Sequence, residues 1–185
     1  MAKKTKIKKR VILTGAQGTG KTTLMNALCQ DGTKTLSVAR DMATNTNWNA
    51  ETGTTTEYQK ELYKTLKKEL SSKKNYVSDR GLTCVAAYTF DKAVEGSIPK
   101  KVADKQYLDT VKFVQENPDV LIVYVPVEFD PVDDGVRSTD VVKQARIDFF
   151  IKNILDTAQI PYITVHGTVE ERAAQIEEAL ANMNL

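Results

Sequence analysis

Short apolar runs alternate along the chain with longer segments in which apolar residues recur at helical spacing. The runs occupy residues 10–13, 35–38, 76–78, 120–125 and 162–165. Strands that alternate with helical segments are typical of a parallel sheet whose connections pass through helices. The pattern therefore predicts an α/β fold of three layers, in which helices flank a parallel sheet.

Four apolar stripes predict the helices themselves. Their members recur every three or four residues, which places them on one side of a helix, and we interpret each stripe as a core-facing side. The stripes are Tyr58, Leu62, Leu66 and Leu70; Tyr107, Leu108, Val111 and Val114; Val142, Ala145, Phe149 and the Ile-rich turn after it; and Val169, Ala173, Ile176, Leu180 and Met183.

Two polar segments lie between these elements. Residues 45–56 are rich in Asn and Thr, and residues 128–139 contain Pro131 and Gly135, which interrupt helices and strands. Loops of this length in a compact domain are usually lids or disordered segments. We predict a surface loop at 45–56 and a lid loop at 128–139.

Length and composition indicate one soluble domain over residues 1–185. The chain is 41% apolar and 27% charged, which is ordinary for a globular protein. Cys29 and Cys84 are too few for a disulfide scaffold. A single histidine, His166, argues against a His-based zinc site and a Ser-His-Asp hydrolase. No apolar stretch approaches the roughly 20 residues that span a bilayer, so we expect a cytoplasmic protein without membrane contact.

Charge is concentrated at the N-terminus. The net charge is +2, but six of the 26 basic residues lie among the first ten, which contain no acid. The rest of the chain has 20 basic against 24 acidic residues. Residues 1–9 therefore form a basic arm, for which the hypotheses are a solvated, frayed segment and a nucleic-acid contact.

The first apolar run is followed by a phosphate-loop motif. Residues 15–22 read GAQGTGKT, which matches GxxxxGKT and precedes helical sequence. Its glycines let successive backbone N–H groups turn toward phosphate oxygens, and the following helix adds the positive end of its dipole. Lys21 is expected to reach the β- and γ-phosphates and the Thr22 hydroxyl to ligate Mg²⁺. The predicted nucleotide contacts are Gly15, Gln17, Gly18, Thr19, Gly20, Lys21, Thr22 and Thr23.

The third apolar run ends in Asp79 and Arg80. If its strand neighbours the first, Asp79 lies beside the phosphate loop and binds Mg²⁺ directly or through water. Arg80 then faces the transferred phosphate or the acceptor. The chain has no NKxD sequence, which argues against a guanine-reading GTPase.

Two further arginines are candidates for contact with the transferred phosphate. Arg137 follows Gly135 in the predicted lid loop, and Arg146 lies nine residues later. Phosphoryl-transfer enzymes commonly bring arginines over the γ-phosphate from a loop that closes and excludes water. A structural alternative for Arg146 is an ion pair with Asp140 or Asp148.

The order of GxxxxGKTT, DRG and DGxR resembles the nucleoside- and nucleotide-kinase branch of the phosphate-loop proteins. The similarity spans roughly residues 11–179 and is strongest to small ribosylnicotinamide-kinase-like ATPases, which are frequent in bacteria and their phages. The resemblance implies a five-stranded parallel sheet in the order 2-3-1-4-5 and a lid. It also implies ATP (or dATP) as donor, Mg²⁺, and transfer of the γ-phosphate to a small nucleoside-type acceptor.

The resemblance also assigns roles to residues. Asp79 and Arg80 match the family's Asp-Arg pair, Arg137 matches its lid arginine, and Gly167 lies in the loop expected to contact adenine. Members often carry a Glu-x-x-Arg arrangement after the second strand, which binds or deprotonates the acceptor. Here Arg40 matches the arginine, but Ser37 replaces the glutamate. Asp41 is then the nearby carboxylate that we assign as acceptor base, with Arg40 as its substrate-binding neighbour.

Three functional hypotheses follow. The first is a kinase that phosphorylates a nucleoside, a nucleotide or a nicotinamide-riboside-like molecule. The second is a kinase that acts on a modified base or a terminus in DNA and is tethered by the basic arm. The third is a non-kinase ATPase switch or binding module, which the missing glutamate favours.

Overall fold

The chain folds into a five-stranded parallel sheet with helices on both faces. The computed structural model describes residues 9–45, 55–72, 74–128 and 140–183. Its elements are β1 (Arg10–Thr14), α1 (Lys21–Leu28), β2 (Lys34–Leu36), α2 (Val38–Asn45), α3 (Thr56–Leu70), β3 (Tyr76–Ser78), α4 (Leu82–Val94), α5 (Lys100–Glu116), β4 (Leu121–Tyr124), α6 (Val141–Thr157), β5 (Ile163–Thr164) and α7 (Val169–Met183). The strand order is β2-β3-β1-β4-β5, which confirms the predicted fold and order.

The central strand β1 separates two cores. Successive residues of a strand point to opposite faces of the sheet. Val11 and Leu13 pack with α1 and α7 on one face, and Ile12 packs with α3 and α4 on the other. Helix α6 packs against α4 in a third apolar cluster that includes Ile122 of β4. The three-layer arrangement is therefore the one expected from the alternating pattern.

Two of the four predicted helix stripes are core faces. In α3 the residues Tyr58, Leu62, Leu66 and Leu70 are all buried. The helix begins at a side-chain cap, because Thr55 Oγ1 accepts a hydrogen bond from the Tyr58 amide at 3.2 Å. In α7 the predicted stripe packs against the sheet and α1 except at its end, where Met183 is 45% exposed.

The predicted core stripe of α6 is wrong over its first three members, whereas the Ile-rich turn that completes it is buried at Ile151 and Ile154. Val142 is 65% exposed and Phe149 is 64% exposed. The buried side lies two residues further round the helix and consists of Gln144, Ile147, Ile151, Ile154 and Leu155. Both sides of α6 carry apolar residues, so periodicity alone did not distinguish them. A polar residue lies on the buried side because Gln144 Nε2 donates to the Gln17 carbonyl at 2.8 Å.

The stripe predicted for α5 is also wrong in part, because Leu108 is 66% exposed. The buried side of this helix is Val102, Ala103, Gln106, Thr110 and Phe113. Its polar members form hydrogen bonds inside the protein: Tyr63 Oη lies 2.9 Å from both the Gln106 carbonyl and Thr110 Oγ1. A buried polar group that has such partners is compatible with a core.

The boundaries of β3 are as predicted, and those of the other strands differ from the predicted ones by one or two residues. The largest consequence is at β2, which ends at Leu36, so Val38 begins α2 instead of ending the strand. Most of 45–56 and 128–139, and the basic arm except Lys9, lie outside the described residues. Within the described ranges, no helix has the length and apolar character needed to cross a membrane. The single-domain assignment stays a prediction.

Candidate functional site

The phosphate loop, residues 15–22, connects β1 to α1 at the carboxyl edge of the sheet. A Cβ on Gly15 would lie 2.3 Å from the carbonyl oxygen of Val125, so the loop approaches the end of β4 too closely for any side chain. Gly20 is the N-cap of α1 in the left-handed conformation and supplies no side-chain cap. The first turn of α1 also has no acidic residue, so no carboxylate within that turn opposes the binding of an anion at the positive end of the helix dipole.

Lys21 is folded over this loop. The residue is buried, and its ammonium group donates to the Ala16 carbonyl and, at 3.0 Å, to Thr19 Oγ1. Thr19 Oγ1 also donates to the Ala16 carbonyl at 3.2 Å. The positive charge therefore lies at the loop that is expected to hold phosphates. Thr23, the last of the predicted nucleotide contacts, is exposed in the first turn of α1.

Asp79 receives two hydroxyl groups at the end of β3. Thr22 Oγ1 and Ser37 Oγ each lie 3.2 Å from Asp79 Oδ2. The contact arises because β1 pairs with both β3 and β4 in the sheet and β3 pairs with β2, which aligns the strand ends. The structure thus brings Thr22 and Asp79 together as predicted, and it adds Ser37, which sequence reasoning treated only as a missing glutamate.

This cluster fits Mg²⁺. The ion prefers oxygen ligands and usually combines one or two protein groups with water and substrate phosphates. Thr22 and Asp79 supply such oxygens beside the phosphate loop. The described residues contain no group of three or more His, Cys, Asp or Glu side chains that could hold a metal ion. An ion at Asp79 would therefore need water or phosphate oxygens as further ligands.

Arg80 is linked to the phosphate loop through the side chain of Tyr88. Its guanidinium carbon is 5.4 Å from the centroid of the Tyr88 ring. Tyr88 Oη donates to Gln17 Oε1 at 2.8 Å, and Gln17 is itself buried in the phosphate loop. Tyr88 therefore connects Arg80, which is predicted to face the transferred phosphate or the acceptor, to the phosphate loop. Sequence reasoning missed this residue because α4 has apolar residues on most of its surface, which gave Tyr88 no distinguishing signal.

Helix α6 adds a carboxylate that the sequence did not reveal as a site residue. Asp148 accepts from Tyr124 Oη, whose distances to the two carboxylate oxygens are 2.9 and 2.8 Å. Burial raises the pKa of Asp148, against the opposing effects of the Tyr124 hydrogen bond and the nearby charges of Lys21 and Lys152. A half-buried acid therefore lies within the electrostatic influence of the phosphate-loop lysine.

Arg146 points to a different neighbour from those considered. Its guanidinium binds Asp91 and, at 2.6 Å, Glu95 Oε1, both in or at the end of α4. Asp140 instead caps α6, where its Oδ1 accepts from the Val142 amide at 2.9 Å. Hydrogen bonds from Lys92 and Arg146 lower the pKa of Glu95 to about 2. In this structure Arg146 ties α6 to α4, and its catalytic role stays a prediction.

The remaining predicted site residues are not part of this cluster. Arg40 and Asp41 are exposed on α2, within its first turn, because β2 ends earlier than predicted. Their roles toward the acceptor stay predictions. Arg137 lies outside the described residues.

A second cluster surrounds the loop after β5. The carboxylate of Glu128 lies 2.6 Å from His166 Nδ1 and 2.5 Å from Arg172 Nη2, and it accepts from the Gly167 amide at 3.4 Å. Burial would raise the pKa of Glu128, but the hydrogen bonds from His166 and Arg172 outweigh it and hold the pKa below the ordinary value. Gly167, predicted to contact adenine, is thus held beside a buried arginine.

Arg172 connects this cluster to the phosphate loop through hydrogen bonds. The residue is 3% exposed, and its Nη1 donates to the carbonyl of Thr19 at 3.0 Å. Sequence analysis missed it because a charged residue in a helix is usually on the solvent side. Its spacing of three residues from Val169 and four from Ile176, both in the apolar stripe, could have given a signal.

Solved structures share this fold. NadR in complex with NAD and AMP-PNP aligns with 95% of this chain at 15% identity and a TM-score of 0.68, and the chain spans about half of it (50%). The deoxyadenosine kinase of M. mycoides, with dCMP and dCDP bound, aligns with 94% of this chain and 99% of its own at 13% identity and a TM-score of 0.64. The thymidylate kinase of Candida albicans aligns with 95% of this chain and 92% of its own at 15% identity and a TM-score of 0.57.

Sequence comparison gives the family. No curated protein is significantly similar to the chain. A family model described as an AAA domain matches residues 10–172, which include the phosphate loop, Asp79, Glu128 and Arg172. Because this match covers most of the sequence, the chain belongs to the AAA domain family of phosphate-loop proteins.

Proposed function

We propose that this protein is an ATP- and Mg²⁺-dependent phosphotransferase that moves the γ-phosphate to a hydroxyl or phosphate group of a small acceptor. The acceptor is a nucleoside, a nucleotide or a nicotinamide-riboside-like molecule. The observation that carries the proposal is the meeting of Thr22, Ser37 and Asp79 beside the phosphate loop, with Arg80 next along the chain. Two proteins of similar structure are a deoxyadenosine kinase and a thymidylate kinase, which is consistent with the proposal.

The residues divide the work by position. The N–H groups of residues 15–22 and the ammonium of Lys21 bind and orient the triphosphate, which is the largest part of catalysis in phosphoryl transfer. Thr22 and Asp79 would hold Mg²⁺, which neutralises charge on the phosphates when bound. Arg80, whose guanidinium lies over the Tyr88 ring, would bind the transferred phosphate or the acceptor.

The test is ADP release from Mg-ATP against a panel of acceptors. The panel contains ribo- and deoxynucleosides, their monophosphates, nicotinamide riboside, and plain and hydroxymethyl-containing DNA, with Lys21→Ala as the inactive control. Strong stimulation by one small acceptor is the expected result. Stimulation by DNA alone, with a steep salt dependence that is lost when residues 1–9 are removed, would instead establish a DNA kinase.

A second candidate function is an ATPase switch without an acceptor. The observation in its favour is that Ser37, a neutral residue, occupies the end of β2 and already donates to Asp79, while Asp41 is exposed on α2. Slow hydrolysis that no acceptor stimulates would support this candidate.

The role of Asp41 is tested by Asp41→Asn. This variant is expected to leave ATP affinity intact, and an unchanged turnover would show that Asp41 is not the acceptor base.

A further inference from the structure

Glu128 is the centre of a network at the carboxyl edge of the sheet. Its two carboxylate oxygens are shared among a side chain of α7, the imidazole of His166 and the main chain of Gly167. Only about a quarter of the Glu128 side chain is exposed (23%), so these hydrogen bonds are partly shielded from water. The end of β4 and the loop after β5 are therefore held together by one side chain.

Arg172 extends the network to the phosphate loop. One arm of its guanidinium donates to Glu128 and the other donates to the Thr19 carbonyl. In a planar trans peptide the C=O and the following N–H point in opposite directions. Holding the Thr19 carbonyl on the α7 side therefore turns the Gly20 N–H to the opposite side.

The loop of residues 166–168 is fixed at several points. Gln175 Nε2 donates to the His166 carbonyl at 2.9 Å, and its Oε1 accepts from the His166 amide at 3.3 Å. Thr168 and Glu171 form a reciprocal capping box at the start of α7, because the Thr168 amide donates to Glu171 Oε2 at 2.7 Å and the Glu171 amide donates to Thr168 Oγ1 at 3.2 Å. Glu128 binds the other side of this loop, so hydrogen bonds link the loop both to α7 and, through Glu128, to Arg172.

We propose that Glu128 and Arg172 are positioning residues that hold the phosphate loop and the loop 166–168 as one unit. Ligands of open α/β sheets bind along the carboxyl edge, where both loops lie. A nucleotide that extends from the phosphate loop toward β5 then meets two surfaces whose spacing is set before binding. Its triphosphate and its nucleoside are bound cooperatively through Glu128. The proposal rests on the nucleotide-binding part of the proposed function and needs no acceptor.

The experiment compares two ligands of equal phosphate length. A fluorescent nucleotide bound with Mg²⁺ is displaced either by a non-hydrolysable ATP analogue or by inorganic tripolyphosphate, which lacks the nucleoside. Glu128→Gln keeps the shape of the side chain but removes its negative charge, which weakens the charge-assisted hydrogen bond from Arg172. The expected result is about tenfold weaker binding of the ATP analogue and less than threefold weaker binding of tripolyphosphate.

Arg172→Lys and Asp119→Asn complete the set. A lysine ammonium cannot span the Thr19 carbonyl and Glu128 in the forked geometry of arginine, so Arg172→Lys is expected to weaken both ligands. Asp119 pairs with the buried Arg10 at 2.6 Å, which matches the Glu128 pair in distance and burial, and it precedes β4 at the opposite edge. Asp119→Asn controls for loss of stability, and it is expected to bind both ligands like the wild type.

Three outcomes would overturn the proposal. They are wild-type binding of the ATP analogue by Glu128→Gln, an equal loss for both ligands in that variant, and the same loss in Asp119→Asn. An equal loss would mean that Glu128 acts only through the phosphate loop. This test does not depend on the acceptor panel. The affinities for the ATP analogue and for tripolyphosphate can be compared even if the protein phosphorylates nothing in the panel.

Discussion

Two buried arginines lie at opposite edges of the same sheet. Arg10, at the start of β1, is fully buried and binds Asp119, the Asn117 side chain and the Leu70 carbonyl. Arg172, at the carboxyl edge, is 3% exposed and binds Glu128 and the Thr19 carbonyl. The two pairs have nearly the same geometry, but Arg10 joins parts of the framework and Arg172 reaches a loop built to bind an anion.

The comparison shows that burial and geometry alone do not tell whether an ion pair contributes only to stability or also contacts a ligand-binding loop. Removing one partner leaves an uncompensated buried charge in either case, so both pairs affect stability. Only the partner at the other end decides whether the pair also affects a ligand. For Arg10 that partner is the end of α3, and for Arg172 it is the residue before the N-cap of α1.

The largest effect is expected at the carboxyl edge, from Lys21→Ala. Loss of a charge positioned at the phosphates should lower turnover about 10²–10³-fold, while the unfolding midpoint stays close to that of the wild type. Lys34→Ala, which removes a surface lysine paired with Glu69, is the matched control. Normal phosphoryl transfer or hydrolysis by Lys21→Ala would show that the phosphate loop is not the active site.

At the amino edge the expected effect is on stability. Asp119→Ala leaves Arg10 buried without its carboxylate and should lower the free energy of unfolding by about 3 kcal/mol. Denaturant unfolding measures this loss, and nucleotide affinity below the transition should not change. A large fall in affinity in the folded variant would show that the two edges are coupled.

A smaller effect, on the Mg²⁺ requirement, is expected at Asp79 and its two hydroxyl donors, which belong to neither of the two ion pairs. Ser37→Ala removes one of the two hydroxyl donors to Asp79 and should raise the Mg²⁺ concentration for half-maximal activity about tenfold. Ser71→Ala, at an exposed serine that ends α3, is the control. If the Mg²⁺ requirement were unchanged in Ser37→Ala, Ser37 would have no part in orienting Asp79.

The smallest effect is expected for the exposed carboxylate of Glu95, which binds Lys92 and, between α4 and α6, Arg146. The pKa of Glu95 is lowered from 4.5 to about 2, so its contribution to stability is present above pH 4.5 and is lost as the pH falls toward 2. The unfolding midpoints of the wild type and Glu95→Gln should therefore differ slightly at pH 7 and converge below pH 3. A constant difference across this range would exclude the pairs with Lys92 and Arg146 as its cause.

Much of the fold could be predicted because its signals are local. The alternation of strands with helices indicated the parallel sheet, and the family resemblance implied its strand order. The position of Asp79 beside the phosphate loop depended on that order, because it required the third strand to neighbour the first. The first part of the α6 stripe was wrong because Val142 and Phe149 are as apolar as the residues that face the core. Tyr88 and Arg172 could not be recognised as site residues, since their partners lie 71 and 153 residues away along the chain.

The sequence by itself determined the phosphate loop, the α/β class and the place of Asp79 at a strand end, because each depends on residues a few positions apart. The tertiary structure decided which side of α6 is buried, which carboxylates Arg146 binds, and that Glu128 and Arg172 join two loops. These arrangements depend on how separate helices pack onto one sheet. Packing brings together side chains whose local sequences carry no record of each other.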